Sequence, residues 1–185
     1  MGQVKGSTIL ARLAFFDERG GREAEERVVA RLSPEFQEEI QQGVLASRWY
    51  PIDMFIELNR AMDQEFGTGD LSFIRELGRL VAKAVLSGVY KAFAKPGDPR
   101  FLFERAAAIW DQFYDSGKLT IADEGDNAIR AFLEDFAKPA REHCLAVTGW
   151  IEGNLEFAGA KEIEIEELRC RARGDDVCEF YASWK

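Results

Sequence analysis

The chain has 185 residues, of which 46% are hydrophobic and 12% aromatic, a composition that excludes an intrinsically disordered protein. Its formal net charge of −9 disfavours nucleic-acid binding, because phosphate contacts need clustered Lys and Arg. No apolar run approaches the ~20 residues of a membrane span, and residues 1–6 carry no apolar segment of a secretory signal. We therefore expect one cytoplasmic domain over residues 1–185.

The first part of the chain has the apolar spacing and the boundary signals of helices. Helical spacing predicts helices over residues 7–16 and 22–32. Ser33 and Pro34 are typical of an N-cap and a first helical position, and predict a third, short helix ending near Gly43. Further helices are predicted over residues 51–67, 70–94 and 101–114, with an extended segment at residues 49–51.

The pattern changes after residue 117. Residues 118–122 and 128–135 predict two strands, a helix follows over about 139–157, and residues 162–165 and 177–184 predict a final hairpin. The order is a helical N-terminal half followed by ββαββ. It predicts an α+β fold in which an antiparallel sheet is packed with helices.

The final hairpin carries two of the three cysteines. Gly174 and the two aspartates after it are turn residues, and a three-residue loop over 173–175 would place Cys170 directly opposite Cys178. Ile165 lies on an odd position, whereas Leu168 and Cys170 lie on even ones. Both sets can face the core only if a β-bulge near residues 166–167 absorbs one residue.

The third cysteine, Cys144, begins an apolar helical stripe that continues through Val147 and Ile151, so we expect it to face inward from a helix that packs on the sheet. The bulge would bring Glu167 and Cys170 to one side of the hairpin. Three thiols and one carboxylate form a plausible tetrahedral zinc site: Cys144, Glu167, Cys170 and Cys178. Two alternatives stay open, namely three small buried thiols and a Cys170–Cys178 disulfide.

Glu167-x-x-Cys170, followed by a glycine-containing turn and Cys178-x-Phe180, resembles the end of the vinyl-reductase-type ligand-binding domain. That domain is the sensor module of phenol-responsive bacterial transcription activators. The resemblance covers residues 80–185, leaves residues 1–79 as an N-terminal helical part, and implies that Cys144, Glu167, Cys170 and Cys178 hold a structural zinc. The wider superfamily includes Golgi transport-particle subunits and haem-based nitric-oxide sensors, and the whole chain resembles an uncharacterised bacterial family ending in this domain.

Aromatic residues are concentrated in the helical half. Ordinary core packing explains such a set, and so does an apolar pocket between helices and sheet. The resemblance favours a pocket for a small apolar or aromatic molecule, although the histidine that phenol sensors use has no evident counterpart. The candidate pocket residues are Trp49, Tyr50, Phe93, Trp110, Phe113 and Tyr114.

Catalytic motifs are absent from the sequence. There is no phosphate-binding loop and no nucleophile elbow. The single histidine, His143, lies beside Arg141 and Glu142 and is expected to be a partly exposed surface residue rather than a haem ligand. Glu162, Glu164 and Glu166 alternate along a strand and are expected to form a solvated face.

The sequence therefore predicts a non-enzymatic small-molecule sensor or signalling domain with a structural zinc and an apolar pocket. Since the chain has no DNA-binding region, its signal would pass through a homodimer or a protein partner. One alternative is a ligand-free dimeric scaffold resembling transport-particle subunits. Another is an enzyme acting on a small aromatic or tetrapyrrole-like substrate.

Overall fold

The computed structural model describes residues 2–87 and 97–185. Its N-terminal part is helical, apart from two short paired strands. The elements are β1 (Gln3–Lys5), α1 (Gly6–Leu13), α2 (Phe15–Glu18), α3 (Gly21–Val29), α4 (Pro34–Gln42), β2 (Trp49–Pro51), α5 (Ile52–Phe66) and α6 (Ser72–Ser87). Strand β1, which the sequence did not predict, pairs antiparallel with β2. The end of the helix predicted over residues 70–94, including Phe93, lies outside the described residues.

The C-terminal part contains a four-stranded antiparallel sheet and its covering helix. The elements are α7 (Pro99–Ala108), a 3₁₀ turn (Trp110–Gln112), β3 (Lys118–Asp123), β4 (Ala128–Glu134), α8 (Arg141–Ala158), β5 (Glu164–Arg169), a second 3₁₀ turn (Arg171–Arg173) and β6 (Cys178–Ser183). The strands lie in the order β3-β4-β6-β5. This arrangement confirms the predicted α+β class, with a helical half followed by ββαββ.

Helix α8 packs against α6 with their backbones in close contact. Gly78 on α6 and Gly149 on α8 make this possible, because a Cβ on Gly149 would overlap the carbonyl oxygen of Arg75 and a Cβ on Gly78 that of Ala146. Ion pairs flank the contact: Arg75 Nε lies 2.9 Å from Glu152. The glycines therefore fix how closely the helical part approaches the helix that covers the sheet.

The predicted bulge is confirmed in the β5–β6 pair, where the register shifts between Glu167 and Arg169. Leu168 is the extra residue and is 39% exposed, so the expectation that it faces the core is wrong. The three-residue loop is also wrong. The chain instead forms the Arg171–Arg173 turn before Gly174, which takes a left-handed φ of 103°.

Two further predictions are settled by burial. Val147 and Ile151 on the α8 stripe are buried together with Cys144, which confirms the inward-facing stripe. Glu164 and Glu166 on β5 are exposed, which confirms their solvated face. No helix in the described ranges is long and apolar enough to cross a membrane.

Candidate functional site

A cavity of about 390 Å³ lies between α1, α6, α7, α8 and the inner face of β3 and β4. Most of its wall is aliphatic or aromatic. The apolar lining residues include Ala11 on α1, Val81 and Val85 on α6, Leu102 and Phe103 on α7, Leu119 and Ile121 on β3, Ala131 on β4, and Val147, Trp150 and Ile151 on α8. A space of this size and lining is typical of small-molecule sites.

Arg12 gives the cavity a charged group in its wall. It is 5% exposed, and it follows Ile9 and precedes Phe16 on one buried face of the N-terminal helices. Its Nε donates to Asn59 Oδ1 at 3.1 Å and its Nη1 donates to the carbonyl oxygen of Thr8 at 3.1 Å. The guanidinium also lies over the Phe55 ring, 4.0 Å from the centroid.

No carboxylate in the described part of the chain pairs with Arg12. Burial lowers the pKa of Arg12 to about 10, which still leaves it cationic near neutral pH. Burying a charge without an opposite charge is unfavourable, and neutral hydrogen bonds offset only part of that cost. Sequence periodicity could have located this residue, since Ile9, Arg12 and Phe16 are spaced i, i+3 and i+7.

Tyr114 is a second polar group in the cavity wall. Its ring stacks on Trp110, with centroids 4.4 Å apart, and Val4 forms an isolated antiparallel bridge with it. Burial raises the pKa of Tyr114 to about 12, against the opposing effect of Arg12, so the phenol is neutral and keeps its proton. Tyr114 and Arg12 both line the cavity.

The six predicted pocket residues are found in different places. Trp110, Phe113 and Tyr114 line the cavity. Trp49 borders a separate pocket near Lys5, which Phe113 also lines. Tyr50 is 1% exposed in the core, and its hydroxyl accepts a hydrogen bond from the Leu45 amide at 2.9 Å. Phe93 lies outside the described residues.

His143 is not a surface residue, and that expectation is wrong. It is 1% exposed, and its ring stacks on Phe136 with centroids 4.1 Å apart and 15° between planes. Tyr114, Trp110 and Phe55 meet it edge-on. Neither ring nitrogen has a hydrogen-bond partner among the described residues. The prediction assumed that a histidine beside charged residues is exposed. Glu142, one of these neighbours, is itself buried and forms an ion pair with Arg60.

The three thiols meet where the start of α8 touches the final hairpin. Cys144 Sγ lies 3.6 Å from both Cys170 Sγ and Cys178 Sγ. All three residues are buried and none is in a disulfide. The Arg171 amide donates to Cys178 Sγ at 3.4 Å. Hydrogen bonds from Cys144 and from this amide lower the pKa of Cys178 to about 6, while donating to Cys178 raises the pKa of Cys144.

Glu167 adjoins the thiols but is bound by an arginine. Arg141 Nη1 donates to Glu167 Oε2 at 2.5 Å and lies 3.1 Å from Cys170 Sγ. Burial opposes the charge on Arg141, but these two hydrogen bonds outweigh it and raise its pKa. Glu167 Oε1 is buried without a partner among the described residues. The arginine thus links the first turn of α8 to the bulged strand.

Comparison with solved structures identifies the architecture. An H-NOX protein from Shewanella oneidensis in the Fe(II)NO ligation state superposes with a TM-score of 0.76 at 12% identity, covering 98% of this chain and 99% of that one. The chain has the H-NOX fold. An oxygen-binding H-NOX domain related to soluble guanylate cyclases, and an H-NOX domain solved to probe haem distortion, each give a TM-score of 0.70 at 16% identity, with 98% and 95% coverage.

The H-NOX fold covers nearly the whole chain, beyond the residues 80–185 assigned from sequence. The structures that match are H-NOX domains, and they do not support the vinyl-reductase or transport-particle resemblance. No protein-family model matches the chain. No curated protein matches it either.

The comparison with solved H-NOX domains contradicts the prediction of a structural zinc. The solved H-NOX domains are described with Fe(II) and haem rather than zinc. Three thiols lying within 4.8 Å of one another are not in themselves evidence for a zinc ion. In the fourth predicted ligand, Glu167, one carboxylate oxygen accepts a hydrogen bond from Arg141. The cluster consists of three buried thiols beside the ion pair of Arg141 with Glu167.

The residues that the structure describes around the cavity do not fit a haem. Haem iron in proteins is held by His, Cys, Met or Tyr. The only histidine, His143, is enclosed by aromatic rings and does not line the cavity. The three cysteines lie in the thiol cluster, and Met54 and Met62 are buried and do not line the cavity. Tyr114 lines it, but with a pKa near 12 it is a poor source of phenolate.

Proposed function

We propose that the chain is a non-enzymatic, haem-free sensing domain that binds a small apolar or aromatic molecule in the cavity between α1, α6, α7, α8 and the sheet. The observation that carries this proposal is an apolar cavity of about 390 Å³ with Arg12 in its wall. The H-NOX fold supports it, since solved domains of that fold bind oxygen or nitric oxide.

The cavity favours binding over catalysis. Its described wall contains no histidine, cysteine or carboxylate to act as general base or nucleophile. The Tyr114 phenol keeps its proton near neutral pH, and Asn154 Nδ2 already donates to the carbonyl oxygen of Trp150 at 2.7 Å. These polar groups suit orientation of a bound molecule.

Within this proposal, Trp110, Phe113 and Tyr114 are the aromatic contacts of the bound molecule. The stacked pair Trp110 and Tyr114 offers a flat apolar surface. Trp110 is held in place because its Nε1 donates to the carbonyl oxygen of Ser116 at 3.0 Å. A rigid aromatic wall reduces the ordering cost of binding.

Binding of a neutral fluorescent probe, N-phenyl-1-naphthylamine, tests the proposal. We expect saturable binding to the purified protein at one probe per chain. Ile121→Trp fills the cavity from β3 and should abolish it. Thr120→Trp is the matched control, because the neighbouring residue of the same strand is not part of the cavity wall. No saturable binding, or equal binding to both variants, would refute a ligand-binding cavity.

Native mass spectrometry of the same preparations separates a sensor from a ligand-free scaffold. A retained small molecule that is lost in Ile121→Trp supports the sensor. Protein that carries no small molecule and does not bind the probe supports the scaffold. We propose that the bound state is read by a second copy or another protein, and sedimentation with and without probe measures any change in assembly.

A further inference from the structure

We propose that the molecule bound in this cavity carries a carboxylate on an apolar body, and that Arg12 binds the carboxylate. This inference rests on the proposed function and specifies its ligand class. Two independent features carry it: an apolar cavity of suitable volume, and a buried guanidinium in its wall without an acidic partner in the described chain.

The hydrogen bonds of Arg12 leave one end of its guanidinium unused. Nε and Nη1 are bound to Asn59 and to the Thr8 carbonyl oxygen, whereas Nη2 has no partner among the described residues. Arg12 lines the cavity, so Nη2 is the part of the guanidinium left for a bound molecule. An arginine fixed on one edge and open on the other is suited to a carboxylate oxygen.

The buried carboxylate on the helix that carries Asn59 is bound to backbone amides rather than to Arg12. Asp63, one turn beyond Asn59 on α5, is fully buried and accepts from the amides of Leu71 and Phe73. Arg12 also acts electrostatically on two uncharged groups. It opposes the raised pKa of Tyr114, a neutral phenol, and adds to the effect of burial in lowering the pKa of His143. The interior therefore holds an uncompensated positive charge.

The buried guanidinium indicates the type of anion. Arg105 on α7 also borders the cavity but is exposed, whereas Arg12 is buried. One buried positive charge matches a monoanion such as a carboxylate. The Tyr114 hydroxyl, unpaired among the described residues, is a donor available to the second carboxylate oxygen. The apolar body would contact Trp150, Val147 and Phe103.

A matched pair of ligands tests the carboxylate without changing the protein. 2-Naphthoate and 2-naphthamide have the same ring and nearly the same shape, but only the first is anionic. By isothermal titration calorimetry we expect 2-naphthoate to bind at least about 10-fold more tightly, the effect of one charge-assisted hydrogen bond in a dry site. Equal affinities would refute the carboxylate while leaving the apolar-ligand proposal intact.

Variants then assign the effect to Arg12. Arg12→Gln keeps a donor for Asn59 but removes the charge, and should eliminate the preference for naphthoate while retaining naphthamide binding. Arg12→Lys should preserve part of the preference. Arg22→Gln is the matched control, since that side chain is 89% exposed on α3, and it should leave both affinities unchanged. If the preference survives in Arg12→Gln, Arg12 is not the anion site. If neither compound binds, or Ile121→Trp binds both normally, the ligand-binding proposal itself fails.

Discussion

His143 and Phe136 lie face to face, with ring centroids 4.1 Å apart, in the interior where the start of α8 meets the end of the β4 segment. The imidazole is surrounded by aromatic rings, and both of its nitrogens are unpaired among the described residues. Burial, with a smaller contribution from Arg12, lowers its pKa to about 3. The only histidine of the chain is thus a neutral core residue rather than a metal ligand or an exposed base.

This burial predicts a specific loss of stability in acid. Between pH 6.5 and about 3 the unfolded chain protonates this histidine and the folded chain does not. The free energy of unfolding therefore falls with decreasing pH, by up to about 1.4 kcal/mol per pH unit from this group. Urea unfolding of the wild type and of His143→Phe between pH 4 and 7 measures it. The difference in free energy of unfolding between wild type and His143→Phe should change with pH. A difference that stays constant would contradict the burial of His143.

The poor fit to haem gives a spectroscopic prediction. Hemin added to the purified chain should not give the Soret band of a histidine-ligated complex, because His143 is enclosed and is not part of the cavity wall. Absorption titration with wild type and His143→Phe in parallel measures this. A stoichiometric Soret band in the wild type that His143→Phe removes would refute haem-free function.

The pair of Arg141 with Glu167 should contribute measurably to stability. Arg141→Met leaves a mostly buried carboxylate without its cation, and we expect a loss of about 2 kcal/mol, at the lower end for buried pairs because Arg141 is 30% exposed. Arg22→Met is the control, since its pair with Glu26 is largely exposed, and should cost less than about 0.5 kcal/mol. Similar losses in the two variants would show that Arg141 does not hold α8 to the hairpin.

The contact of α6 with α8 should not tolerate a side chain at Gly149. An added Cβ would overlap the carbonyl oxygen of Arg75, so Gly149→Ala must displace one helix. Alanine would favour an isolated helix by up to about 1 kcal/mol, but overpacking should dominate and destabilise the fold by about 1–3 kcal/mol. Thermal unfolding of the variant measures the sign. An unchanged or raised melting temperature would mean that the helices are not in backbone contact.

Sequence patterns predicted the features that depend on residues close together in the chain. Alternation along the final hairpin predicted the bulge near Glu167, and helical spacing predicted the buried stripe that begins at Cys144. The exposure of Leu168 was missed because alternation alone does not say which residue of the bulge is excluded.

Long-range partners explain the remaining errors. His143 is buried by Phe136 and by the aromatic residues near Tyr114, none of which its flanking charges indicate. Arg12 was missed because a charged residue is normally assigned to a surface, although its spacing from Ile9 and Phe16 placed it on the buried face. Strand β1 was missed because its three residues are extended through pairing with β2, about 45 positions later in the chain.

The glycine contact also limits how the cavity can respond to its contents. Gly78 and Gly149 allow α6 and α8, which form two walls of the cavity, to pack with their backbones in contact. Ion pairs such as Arg79 with Glu156 join the same two helices, so we expect α6 and α8 to move together. A ligand larger than the cavity would therefore have to displace α7 or α1, the N-terminal helix that carries Arg12. If the cavity binds a ligand as proposed, these outer helices are where a change of shape would reach the surface of the molecule.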